Sequence, residues 1–303
     1  QERYFGSEEI ALAYAQGLMN LSCDQDVAEA EATVGRLKGL HEWYSGSEEI
    51  ALEYSRGLFN LSNKQELEER KASVERLRAL QERYCGNEEI VLWYAKGLFN
   101  LSCDQKVEEA EDTVERLREL QKRYYGNEEI VLAYANGLFN LTDKQELEGS
   151  KVTIERLKVL QGRYCGNEEI AIVYAHGLSN LTGKQELEGA EDTVERLKEL
   201  QQWYCGNEEI AVTYAKGLVN LSYKQGVEGA EDTVERLKGL HERYSGSEGL
   251  TVVYAIGLLV LAVKQTAQEA QNTIPKIESL CQQYPENKRV KDILEGVAKL
   301  QDK

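Results

Sequence analysis

"GNEEIVLWYAKGLFNLS", residues 86–102, returns with few changes at 126–142, 166–182 and 206–222. Within it Ile90, Tyr94, Leu98 and Leu101 fall at i, i+4, i+8 and i+11, with Val91 and Ala95 beside them. That is one broad apolar stripe on an α-helix, and it predicts a first helix, helix A. Downstream, Val107, Ala110, Val114, Leu117, Leu120 and Tyr124 step by 3 or 4 residues between charged ones such as Glu111, Glu115 and Arg116. This narrower stripe predicts a second helix, helix B. Gly86 is expected to take the left-handed conformation that ends a helix, and Asn87 to cap helix A. Glu88 and Glu89 then sit where the helix dipole favours negative charge. Ser102 and Gln105 have the S-x-x-Q spacing of a capping box and are expected to open helix B.

Aligning Tyr4, Tyr44, Tyr84, Tyr124, Tyr164, Tyr204, Tyr244 and Tyr284 gives a period of 40 residues without insertion, seven full repeats and a partial eighth. Residues 81–120 and 201–240 agree at 28 of 40 positions, so the copies are close. A fixed period of this length marks a stack in which each hairpin buries its apolar face against its neighbours. One elongated domain over 1–303 is expected, closed by a capping segment at 281–303. With only 2 prolines and 4 phenylalanines in 303 residues, the composition is that of an all-α protein. The net charge of −17 repels phosphate backbones, which argues against a nucleic-acid partner unless the 36 basic residues segregate. No stretch of about 18 apolar residues and no basic-then-apolar leader is present, so no membrane partner is expected. The chain begins at Gln1 in the middle of a repeat, which suggests a piece cut from a longer protein.

"EEAEDTVERLREL" at 108–120, with Ala110 in a small-residue position, and "YPEN" at 284–287 carry a family likeness. The chain resembles the tetratricopeptide (TPR) repeat family, across all seven repeats. The resemblance implies a right-handed α-solenoid of tandem antiparallel helix-turn-helix repeats, acting as a protein-interaction scaffold whose A helices line a concave face. The chain departs from the family in its period, which there is about 34 residues. The closing proline is also replaced, by Phe5, Ser45, Cys85, Tyr125, Cys165, Cys205 and Ser245. Sel1-like and HEAT-like hairpin arrays fit the same pattern. The family's peptide clamp pairs a lysine with an asparagine four residues on. Lys96 with Asn100, and Lys216 with Asn220, have that spacing, but Gly97 and Gly217 fall outside the clamp's register and it is not carried over.

Every repeat keeps a glycine in mid-helix A (Gly17, Gly57, Gly97, Gly137, Gly177, Gly217 and Gly257). A glycine there costs about 1 kcal/mol against alanine, so close helix approach is expected in return. Two helix-A positions vary freely. The first runs Ala13, Glu53, Trp93, Ala133, Val173, Thr213, Val253; the second Gln16, Arg56, Lys96, Asn136, His176, Lys216, Ile256. Four residues beyond the second position stand Asn20, Asn60, Asn100, Asn140, Asn180 and Asn220. All three positions share one helical face with Glu49 or Glu89. The expected site is therefore a stripe across successive A helices. It comprises Glu53, Arg56, Asn60, Trp93, Lys96, Asn100, Asn136, Asn140, His176, Asn180, Thr213, Lys216 and Asn220, and it would hold an extended peptide or a partner helix. Neutral drift on a solvated face explains the same variation. Two other roles compete. One is sequestration of a small anion by Arg56, Lys96 and Lys216; the other is a purely structural, self-assembling repeat. Each Asn-Leu-Ser/Thr triplet is formally a glycosylation acceptor but follows from the repeat itself.

The six cysteines include no C-x-x-C pair. Cys165 and Cys205 occupy equivalent positions of adjacent repeats, about 10 Å apart at helix spacing and beyond disulfide reach of about 7 Å. Free thiols and a reducing compartment, the cytoplasm, are expected. His41, His176 and His241 are isolated, so no metal, cofactor or catalytic constellation is expected. In the seventh repeat the variable stripe becomes Val253, Ile256 and Val260. Pro275 should kink or restart its helix B. An amphipathic segment with Ile293, Leu294, Val297 and Leu300 is expected to cover the apolar stripe; left uncovered, that stripe would serve self-association.

Overall fold

The computed structural model describes residues 7–301, with side chains to residue 296. Tyr4, Phe5 and the side chains of Val297 and Leu300 lie outside the described residues. Contacts divide the chain into two compact halves, Gln1–Lys144 and Gln145–Lys303. The first holds α1 (Glu8–Asp24), α2 (Val27–Trp43), α3 (Glu48–Ser62), α4 (Leu67–Arg83), α5 (Glu88–Asp104), α6 (Val107–Arg123) and α7 (Glu128–Lys144). The second holds α8 (Leu147–Arg163), α9 (Glu168–Lys184), α10 (Leu187–Trp203), α11 (Glu208–Lys224), α12 (Val227–Arg243), α13 (Glu248–Lys264), α14 (Ala267–Gln283) and α15 (Lys288–Gln301). Odd-numbered helices are A helices, even-numbered ones B helices, and no strand occurs among the described residues. The fold is an all-α repeat solenoid. Within each half every helix packs on its successor and every A helix on the next A helix, whereas successive B helices touch through long side chains, such as Arg116 with Glu75, rather than backbone to backbone.

The apolar stripes are the core. Ile90, Val91, Tyr94, Ala95, Leu98 and Leu101 on α5 are at most 4% exposed, and Ala110, Val114 and Leu117 on α6 are wholly buried. Burying a large apolar side chain contributes about 1.5–3 kcal/mol, and the period repeats that gain in each hairpin. The mid-helix glycines accept the preceding B helix, as expected. A Cβ at Gly97 would stand 3.0 Å from Leu77 Cδ1, and one at Gly137 2.7 Å from Leu117 Cδ1. At Gly17, which no B helix precedes among the described residues, it would meet nothing within 4 Å.

Helix ends correct three expectations. Asn87 caps α5 by accepting from the Ile90 N–H, but Ser102 is not a cap. It lies inside α5, fully buried, and donates to the Phe99 carbonyl at 2.6 Å. Gln105 instead accepts from Thr113 Oγ1 at 2.7 Å, tying the end of helix A to the middle of helix B. The same tie recurs in every full repeat, from Gln25 with Thr33 to Gln265 with Thr273. Gly86 is not left-handed either: Tyr84 closes α4 by donating to the Leu80 carbonyl, and among the described residues only Gly246 has positive φ. Thirdly, α14 does not restart at Pro275 but continues through it. Pro275 is on its exposed side, where the freed carbonyl can be hydrated, and buried Ile274 and Ile277 hold the helix.

Between repeats the chain is fastened at both helix ends. Asn87, Asn127, Asn207 and Asn287 each donate to the first glutamate of the preceding A helix, at 2.8–3.1 Å. At the other end Lys64, Lys144, Lys184, Lys224 and Lys264 donate to terminal carbonyls preceding them by about one repeat, at the negative end of a helix dipole. In the seventh repeat Val253 and Val260 are buried, with α15 packed on α13 and α14.

Candidate functional site

Helix A presents to its outer side the residues at i, i+4, i+7 and i+11 from the position of Leu92, while the core stripe faces the B helices. In the first half this outer side carries Leu52, Leu92 and Leu132, then Arg56, Lys96 and Asn136, then Phe59, Phe99 and Phe139, all half-buried.

The variable polar residues are largely engaged with one another. Arg56 pairs with Glu53 and with Glu89 of the next A helix, both at 3.1 Å, and Lys96 pairs with Glu129 at 2.8 Å. In the second half His176 stands 3.6 Å from Glu209, its imidazole held below the ordinary value by burial, with Glu209 opposing and Lys216 adding. Lys216 is exposed, and the residue in the matching place is Gly249. The constant glutamate thus serves as the partner of whatever cation precedes it by 33 residues.

The asparagines are also turned inward. Asn60 donates to Ser22 Oγ at 3.3 Å and Cys23 Sγ at 3.1 Å, and Asn100 to Asn63 Oδ1 at 2.6 Å. Asn140 donates to Ser102 Oγ and Cys103 Sγ at 3.0 Å, and Asn220 to the Ser179 carbonyl at 3.2 Å. Their amides fasten one A helix to the one before, and the expected ladder for a ligand backbone is not displayed. Asn136 and Asn180 are half-buried. Each triplet's hydroxyl partner, such as Ser102 or Thr142, is buried inside a helix.

The other variable position lies between helices rather than in solvent. Thr213 is 1% exposed and donates to the Glu209 carbonyl at 2.8 Å. Trp93 is half-buried, its ring 5.0 Å from that of Phe59, with Lys96 Nζ 5.0 Å from the indole centre. Glu53 is 4% exposed, and its Oε2 has no hydrogen-bond partner. Burial pushes its carboxyl above the ordinary range, Arg56 pulls it back and Glu89 adds to the rise. A folded-state value above the unfolded one means that this group's contribution is fully present at pH below the unfolded value and is lost as pH rises through the folded one. Glu53→Val, the residue of two sibling repeats, removes a buried acceptor that has no partner and is therefore expected to stabilise the fold at neutral pH by about 1 kcal/mol. The gain should shrink as pH falls to about 4. Urea unfolding across that range measures it; a pH-independent difference would contradict this account.

What remains on the outer side is the row of leucines and phenylalanines, which the variable polar positions had drawn attention away from. The signal was present: Leu92, Lys96 and Phe99 lie at i, i+4 and i+7, outside the arc that the core stripe needs. In the second half Ser179 and Val219 take the place of the phenylalanines, so the aromatic row is confined to the first half.

No family model matches the chain, and no curated protein matches its sequence. Among solved structures an engineered protein aligns at 17% identity over 86% of this chain and 93% of its own, with a TM-score of 0.35. That likeness is too slight to carry an argument. Among the described residues no group of histidine, cysteine and acidic side chains could hold a metal ion, and no helix is long and apolar enough to cross a membrane.

Proposed function

We propose that the chain is a non-catalytic, TPR-like protein-interaction scaffold whose A-helix face in the first half binds a polypeptide segment carrying apolar anchors between basic residues. What carries this reading is the side-by-side row of half-buried Leu52, Leu92, Leu132, Phe59, Phe99 and Phe139. The half-buried apolar side chains supply affinity, and the net charge of −17 favours a partner with cationic neighbours around its anchors. Close backbone packing of A helices on one another, where the B helices meet only through long side chains, sets the A side closer-spaced within that half, the arrangement of an inward-facing surface. The small-anion alternative is disfavoured because two of its three cations, Arg56 and Lys96, are already ion-paired, which leaves Lys216 by itself in the other half. Six free thiols suit a reducing compartment such as the cytoplasm.

Selection of peptides from a random library tests the proposal. Enriched sequences should pair aromatic or aliphatic residues with lysine or arginine. Leu92→Lys keeps an aliphatic stem over its neighbours but sets a charge where an anchor would sit, and should weaken those peptides by at least about ten-fold. Lys198→Glu on α10 serves as the control and should leave affinity unchanged. Equal binding by the parent and the Leu92 variant would overturn the proposal.

A further inference from the structure

On the B-helix side a three-residue device recurs. Arg116 donates from Nε to Tyr94 Oη at 2.9 Å and pairs through Nη2 with Glu75 of the preceding B helix at 2.7 Å. Arg196 is held likewise by Tyr174 at 2.6 Å and Glu155 at 2.9 Å, and Arg236 by Tyr214 at 2.7 Å and Glu195 at 3.8 Å. At the corresponding place in the second repeat the arginine is Arg76 and the tyrosine Tyr54, but the position of the glutamate is occupied by Gly35. Arg76 is exposed and makes no ion pair or hydrogen bond among the described residues. A Cβ at Gly35 would meet nothing within 4 Å. Beside it lies a hollow of about 250 Å³, half open to solvent and lined by Gly35, Tyr54, Arg76, Lys38 and Glu31 over an apolar floor at Leu61.

We propose that this cavity is a binding site for a small aliphatic carboxylate, which takes the place vacated at residue 35 and is held by the Arg76 guanidinium and the Tyr54 hydroxyl. The hollow is ample for the side chain that the sibling repeats carry at this position, a glutamate, and propionate is the free fragment with that chemistry. The charges favour an anion: Arg76 and Lys38 against Glu31, whose Oε1 already accepts from Gln65 Nε2 at 3.3 Å. Lys38 is shared with Glu42 at 3.4 Å on the exposed rim, so Arg76 is the principal cation. A guanidinium offers a carboxylate two parallel N–H groups, the geometry that Glu75 uses in part at Arg116. Burial raises the Tyr54 phenol above its ordinary value, so it stays a hydrogen-bond donor at neutral pH. The inference does not depend on the A-helix face.

Nuclear magnetic resonance of arginine Nε–H groups during titration with propionate, at ionic strength matched by chloride, is the test. The Arg76 signal should move saturably and those of Arg196 and Arg236 should not. A short glutamate-bearing peptide run in parallel separates the sources: saturation by propionate assigns a free acid, saturation by the peptide alone a protein side chain. Gly35→Glu restores the sibling pattern and should fold, place the Arg76 signal at its ligand-bound position and abolish the titration. Arg76→Gln should weaken binding by at least about ten-fold. Conversely, Glu75→Gly should open a second site, at Arg116. Absence of a saturable Arg76 response to either probe, an unchanged response in Gly35→Glu, or silence at Arg116 in Glu75→Gly would each overturn the proposal.

Discussion

Leu77→Ala is expected to lower the unfolding free energy by about 3–4 kcal/mol, measured by urea denaturation. Leu77 is wholly buried on α4, and its Cδ1 fills the recess that Gly97 leaves on α5. Truncation removes apolar burial and opens a cavity in a seam where helix backbones already approach closely, so collapse around the gap is limited. A second substitution makes the claim specific to that seam. Gly97→Ala alone puts a Cβ 3.0 Å from Leu77 Cδ1, so its gain in helix propensity of about 1 kcal/mol is offset by crowding. In the Leu77→Ala background the crowding atom is gone, and Gly97→Ala should recover about 1 kcal/mol. Simple additivity of the two changes would show that the glycine is not kept for this leucine.

The hairpin, its period and the packing role of Gly97 were legible in the sequence because each depends on spacing within one repeat. Asn87 was legible as a cap for the same reason: its partner, the Ile90 N–H, is three residues away. Ser102 misled because a capping-box spacing says nothing about which side of a helix the hydroxyl faces, and here it faces the core. The expected binding stripe was harder. Lys96 and Asn100 were seen as variable or polar on one face, which is correct, but their partners Glu129 and Asn63 are 33 and 37 residues away in neighbouring repeats. Only the stacking geometry brings such groups together. A constant letter such as Glu129 and a variable one such as Lys96 turn out to be two ends of a single contact. The structure thereby shifts attention from the charged members of the stripe to Leu92 and Phe99, whose side chains no polar partner engages.

Arg70→Ala is expected to cost about 2–3 kcal/mol, a large effect for one residue outside the apolar core, and Asp104→Lys is expected to return most of it. At the ends of the A helices a lysine normally reaches back to cap the preceding A helix, as Lys144 does to the Cys103 carbonyl at 2.7 Å. The third repeat has Asp104 there instead, which would leave the end of α3 uncapped and set a negative charge near its negative pole. Arg70 replaces the alanine or serine found at the equivalent position in other repeats and supplies what is missing. Its Nε donates to the Ser62 carbonyl at 2.9 Å, its Nη2 to the Gln65 carbonyl at 3.0 Å, and Nη1 pairs with Asp104. The guanidinium is largely buried, its side chain 15% exposed, so its loss strands two carbonyls and a carboxylate at once. Asp104→Lys in the intact Arg70 background should be harmful, because two cations then meet where one was paired. In Arg70→Ala it recreates the alanine–lysine arrangement of Ala110 and Lys144. Thermal or urea unfolding of the four combinations gives the coupling directly. If Asp104→Lys is as harmful with alanine at position 70 as with arginine, the two residues are not exchanging one duty, and the cap at this joint must come from elsewhere.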